Sequence, residues 1–153
     1  MKPDIKAILE AAVKTEEQSI ALYTMAQKKV NTESSRKFLR ELVREEQKHK
    51  EKLLQILKDD DKISALGAEA TQVQDLQIVD VMKDAFLSED ADYPTILIYA
   101  AKREKATYDY YTSLAHGLEG TEPGALFFRL AEEELTHKNK LEREYDDYLA
   151  KWN

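Results

Sequence analysis

A chain of 153 residues without cysteine, carrying a formal net charge of −7, is long enough to bury one core of its own. It excludes disulfides, zinc–thiolate sites, iron–sulfur clusters and an iron held by four cysteines, and its acidic balance argues against nucleic acid and anionic membranes as partners. With 42% apolar residues, four glycines and three prolines the composition is that of a helical domain. The N-terminal stretch carries Asp4 and Glu10, unlike a signal peptide, and no run of about 18 apolar residues is present; a cytoplasmic location is expected.

Pro3 and Asp4 open a first helix, expected over about 4–29, where neither Gly nor Pro intervenes. On a wheel of about 100° per residue, Ile5, Leu9, Ala12, Val13, Ser19, Ile20, Tyr23 and Val30 surround Glu16, so a carboxylate stands at the centre of the apolar stripe. After a short connection, a second helix is expected over about 35–58. Leu39, Leu42, Val43, His49, Leu53 and Leu57 surround Glu46, again a carboxylate at mid-stripe.

Residues 59–92 form a long connection that opens with Asp59-Asp60-Asp61 and contains Gly67. A short amphipathic helix is expected over 75–86, with Leu76, Val79, Met82 and Phe86 on one side. A third helix is expected over about 94–116, with Asp92 as N-cap and Gly117 as its end. Leu97, Ala100, Ala101, Thr107, Tyr108, Tyr111 and Ala115 surround Glu104. The fourth helix, about 123–151, follows a glycine-containing turn, and Phe127, Leu130, Ala131, His137, Leu141, Tyr145 and Trp152 surround Glu134. His116 is expected to be a cation at a helix end. Glu17, Glu45, Glu132 and Glu133 lie off the stripes and are expected in solvent.

Four striped helices predict an all-α four-helix bundle in a single domain spanning 1–153. From Glu16 to the first turn is about 14 residues, or roughly 21 Å, and the way back to Glu46 is about 13 residues, or roughly 20 Å. The two carboxylates therefore return to one height, and the same holds for Glu104 and Glu134. Short turns make each pair antiparallel. The long crossover makes the second and third helices parallel, with a two-fold relating the halves.

That two-fold is written in the sequence. Glu46-Gln47-Lys48-His49 and Glu134-Leu135-Thr136-His137 are 88 positions apart. The same offset carries Glu16 onto Glu104 and Tyr23 onto Tyr111, and Glu45, Lys50 and Leu53 onto Glu133, Lys138 and Leu141. A Glu and a His three apart share a helix face and can hold one metal from a single helix. One such pair is weak evidence, since a Glu-x-x-His is usually part of a solvated face. Here six residues repeat at one offset on core faces: Glu16, Glu46, His49, Glu104, Glu134 and His137. Burying four unpaired carboxylates is costly, and two divalent cations balance their charge with both imidazoles neutral. Carboxylate and imidazole together suit iron or manganese and admit zinc. Lys50 and Lys138 are an alternative source of neutralisation. Tyr23 and Tyr111 read as core tyrosines bonded to ligand carboxylates, or as redox-active phenols.

The two Glu-x-x-His pairs, with the Glu-then-Tyr stretches Glu16 to Tyr23 and Glu104 to Tyr111, resemble the ferritin-like superfamily and, within it, the rubrerythrin group. The resemblance runs along the whole chain and is to a stand-alone di-iron carboxylate domain, since no cysteine is present for a rubredoxin domain. It implies a ferritin-like bundle holding two irons and reducing hydrogen peroxide or O2. Re-reduction would come from an external electron donor such as a rubredoxin. Alternatives are a ferroxidase or iron-handling protein that oxidises Fe(II), and a structural metal-binding bundle. The chain departs from the family in one ligand: Thr107 follows Glu104 and Ser19 follows Glu16 where the third helix would carry a further glutamate. A homodimer is common in the family, and Leu22, Tyr110 and Phe128 are the residues expected at its surface.

Overall fold

The computed structural model describes residues 5–59 and 87–152. Among them are four long helices and no strand: α1 Ile5–Ala26, α2 Glu33–Leu57, α3 Tyr93–Gly117 and α4 Glu122–Trp152. The protein is an all-α four-helix bundle. The amphipathic segment expected at 75–86 lies outside the described residues.

Local chemistry sets the helix ends. α1 stops at Ala26 rather than at 29, and Gln27–Lys29 tighten into a 3-10 turn. The Thr32 side chain accepts from Ser35 N at 3.2 Å, so α2 begins ahead of the expected Ser35. Such a cap satisfies one of the amides a helix start leaves open. Asp92 caps α3 by accepting from Thr95 N at 3.0 Å. α3 runs through Gly117, and the left-handed residue is Gly120, with φ 87°. Thr121 Oγ1 accepts from Gly124 N at 3.0 Å to start α4. A Cβ on Gly124 would meet the Leu118 carbonyl oxygen at 2.1 Å, so no side chain fits this turn.

The core divides into two clusters, and their membership gives the chain directions. One holds Ile5 to Val13 from the start of α1, Leu53 and Ile56 from the end of α2, Tyr110 to Ala115 from the end of α3, and Leu126 to Ala131 from the start of α4. The other holds the end of α1, the start of α2, the start of α3 and Leu141 of α4. α2 and α3 therefore run parallel, and each antiparallel hairpin is turned end over end relative to the other. Between the clusters lies a layer of buried polar side chains.

Two residues differ from expectation. Leu22 is buried in the second cluster and Tyr110 in the first, where it packs against Tyr111 at 5.9 Å between ring centroids. Of the three residues expected at a dimer surface, only Phe128 is exposed, at 53%. No helix among the described residues is long and apolar enough to cross a membrane.

A candidate dinuclear metal centre

The polar layer is built from one turn of each helix. Glu16 comes from α1, Glu46 and His49 from α2, Glu104 from α3, and Glu134 and His137 from α4. All six are buried to 2% exposure or less. One ligand atom from each of Glu16, Glu46, His49 and Glu134 lies within 4.8 Å of the others, and so do atoms of Glu46, Glu104, Glu134 and His137. Glu46 and Glu134 belong to both groups. Glu16 with His49, and Glu104 with His137, belong to one each. The two imidazoles stack at 5.9 Å with 14° between their planes.

The hydrogen bonds sort the polar atoms into two sets. Facing outward, Glu16 Oε1 accepts from Tyr111 Oη at 2.7 Å, and Glu104 Oε1 accepts from Tyr23 Oη. Each tyrosine thus serves the glutamate of the other half rather than the one on its own helix. Burial first, and then the neighbouring carboxylates, push both phenols well above their ordinary range, so both remain donors. His49 Nε2 meets Glu133 Oε2 at 2.5 Å, and His137 Nε2 meets Glu45 Oε2. Facing inward, Glu16 Oε2, Glu104 Oε2, both oxygens of Glu46 and Glu134, and Nδ1 of both histidines have no hydrogen-bond partner. Buried polar atoms are nearly always bonded. Eight orphans aimed at one volume fit a pair of cations coordinated by carboxylate oxygen and imidazole nitrogen.

The same crowding shifts the proton affinity of these groups in the metal-free protein. Burial, then Glu16 and Glu104, raise Glu46 to about 8. Burial and the other core carboxylates push Glu134 well above the usual carboxylate range. Burial disfavours charge on His49 and His137, but the surrounding carboxylates outweigh it and hold both at about 10. Protons occupy the centre when cations do not.

Neutralisation by lysine fails on geometry. Lys50 pairs with Glu17 at 3.2 Å and Lys138 with Glu142 at 2.5 Å, both at the surface. Ser19 and Thr107 also turn away from the centre. Ser19 Oγ accepts from Arg103, and Thr107 Oγ1 donates to the Arg103 carbonyl at 3.0 Å. Arg103, a buried cation with no counterpart at Thr15, ties α3 to α1 through Thr15 O at 2.7 Å.

Glu45 and Glu133 are a correction. They were expected in solvent, yet each anchors a histidine ring while remaining half exposed, at 42% and 52%. The histidine contacts lower both carboxyls below their ordinary range. A carboxylate behind a ligating imidazole fixes its tautomer and aims Nδ1 inward. The signal was present, because Glu45 and Glu133 are mates in the 88-residue repeat. Replacing both with alanine is expected to weaken metal binding by about 10–100-fold while leaving the helical circular dichroism unchanged. Competition with a fluorescent chelator measures it, and unaltered affinity would show that the anchors do not matter.

The family model for rubrerythrin matches residues 7–89, more than half of the chain. That stretch holds Glu16, Glu46 and His49, and the fold brings their repeat mates Glu104, Glu134 and His137 against them. No curated protein and no solved structure matches the chain. With its four-helix bundle and its paired carboxylate–histidine clusters, the chain belongs to the rubrerythrin family.

Proposed function

We propose that this protein is a non-haem di-iron oxidoreductase that reduces hydrogen peroxide or O2. The observation that supports the reading is the set of eight inward-facing ligand atoms that form no hydrogen bond and crowd together in two overlapping clusters. Four carboxylates and two neutral imidazoles leave two divalent cations with no net charge, and this donor set suits iron. Bound iron would supply the electrons for reduction: hydrogen peroxide takes up two electrons and two protons to become two waters.

The chain's own residues prepare that chemistry. Glu46 and Glu134, which belong to both clusters, would serve both cations. Tyr111 and Tyr23 fix the outer carboxylates, Glu16 and Glu104. Glu133 and Glu45 fix His49 and His137. The six side chains are buried between two apolar clusters, so charges among them act across a low dielectric. Re-reduction requires electrons from outside, which a small one-electron carrier such as a rubredoxin provides.

Protein expressed in iron-supplemented medium is expected to hold about two irons per chain and to change its visible spectrum on addition of peroxide. Elemental analysis and absorbance before and after peroxide measure both. Zinc alone, or no spectral response after iron reconstitution, would overturn the reading. Irons that leave the protein after oxidation would replace it with an iron-handling role.

A further inference from the structure

Between α2 and α4 the surface dips to the ring of His49. A cavity of 240 Å³ there is lined by Glu45, Lys48, His49, Lys52, Glu133 and Lys140, with Thr136. His49, a buried histidine of the centre, forms part of the cavity wall. From the surface, Glu133 leads to His49 at 2.5 Å, and His49 Nδ1 lies 2.9 Å from Glu134 Oε1.

The rim is basic on an acidic chain. Lys48, Lys52 and Lys140 are exposed. Unlike Lys50 and Lys138, they form no ion pair among the described residues. The two carboxylates at the mouth are turned onto the histidines. Lys52 and Lys140 are mates in the repeat, and they act on Glu133 and Glu45 respectively. Three lysines thus line the cavity that reaches His49, in a protein whose net charge is −7. Surface charge of this kind steers a partner of opposite sign and sets its rate of encounter.

We propose that the α2–α4 mouth is the docking surface for a small acidic electron-carrier protein, received by Lys48, Lys52 and Lys140. The inference rests on the redox reading above and names the surface at which re-reduction takes place. Each docked carrier is oxidised by one electron. Two encounters restore the two electrons that one hydrogen peroxide removes, and the two protons come from solvent.

The test uses an acidic rubredoxin as probe. In stopped flow, the iron-loaded, peroxide-oxidised protein is mixed with reduced rubredoxin at low and high ionic strength. The wild-type second-order rate is expected to fall about tenfold or more with added salt. The triple variant Lys48→Gln, Lys52→Gln, Lys140→Gln is expected to lose about tenfold at low salt and most of the salt dependence. A triple variant away from the mouth, Lys14→Gln, Lys28→Gln, Lys102→Gln, removes the same charge and is expected to keep the wild-type rate. Equal loss in both variants, or none in the mouth variant, overturns the docking surface.

A second arm separates this proposal from the redox reading. Calorimetric titration of the metal-free protein with oxidised rubredoxin at low salt is expected to show binding that the mouth variant loses. No binding by the wild type overturns the proposal, whatever the iron chemistry proves to be. Binding at the mouth by a protein whose iron does not respond to peroxide would uphold the surface and overturn the redox reading alone.

Discussion

Glu46→Gln is expected to empty both proposed metal positions at once, whereas Glu16→Gln is expected to empty one. Glu46 contributes to both four-residue groups, while Glu16 contributes only to the group with His49. Elemental analysis after dialysis against a weak chelator distinguishes the two outcomes, and retention of two metals by Glu46→Gln would refute the shared role. The same substitution acts in the opposite sense on the metal-free protein. Burial and two neighbouring carboxylates raise Glu46 to about 8. Above that pH the folded chain must hold a buried charge that the unfolded chain leaves in water. Glutamine removes the charge and keeps the shape. At pH 9 the metal-free variant is therefore expected to gain stability on the order of a few kcal/mol, read from urea unfolding. Loss of metal together with gain of stability identifies a residue kept for binding rather than for folding.

The stability of the metal-free and metal-loaded proteins should depend on pH with opposite sign. In the metal-free chain Glu46 is raised to about 8, Glu134 is raised well above its ordinary value, and His49 and His137 are raised to about 10. All four bind a proton more tightly when folded than when unfolded. Their stabilisation is complete below the unfolded values, about 4.5 for Glu and 6.5 for His, and is lost as pH rises through the folded ones. Metal-free protein should therefore lose stability steadily between about pH 4.5 and pH 10. Bound cations require the same groups deprotonated, so metal stabilisation fades as pH falls. The difference in melting temperature between the two forms should widen by about 10 °C or more from pH 5.5 to pH 8.5. Scanning calorimetry with and without metal at the two pH values tests it. Parallel slopes would mean that protons and cations do not compete for one site.

Much of this was legible without coordinates, because a helix carries its own angular code. A carboxylate at the middle of an apolar stripe faces the interior whatever the interior contains. Equal path lengths from Glu16 and Glu46 to their shared turn place the two at one height, and one rise per residue is enough to show it. The off-stripe acids show where that reasoning stops. Glu45 stands one residue from Glu46, on the rim of its stripe. Whether the rim meets water or a histidine depends on how closely α4 approaches α2 there. His137 crosses that seam to meet Glu45, just as His49 crosses it to meet Glu133. Leu22 and Tyr110 mislead for a related reason. They lie at stripe edges that pack inside the two core clusters.

By itself the sequence determined the helical class, the two-fold repeat at an offset of 88, and the six candidate ligands with their common height. Those features follow from periodicity and from distance along one chain. The tertiary structure alone decided which two carboxylates belong to both candidate metal clusters, which tyrosine serves which glutamate, what stands behind each histidine, and that three lysines line the cavity reaching His49. Each of these is a relation between side chains on different helices. It depends on the rotation and separation of helices whose packing energy is spread over many weak contacts. No single stretch of sequence encodes such an angle, although every residue of the core contributes to it.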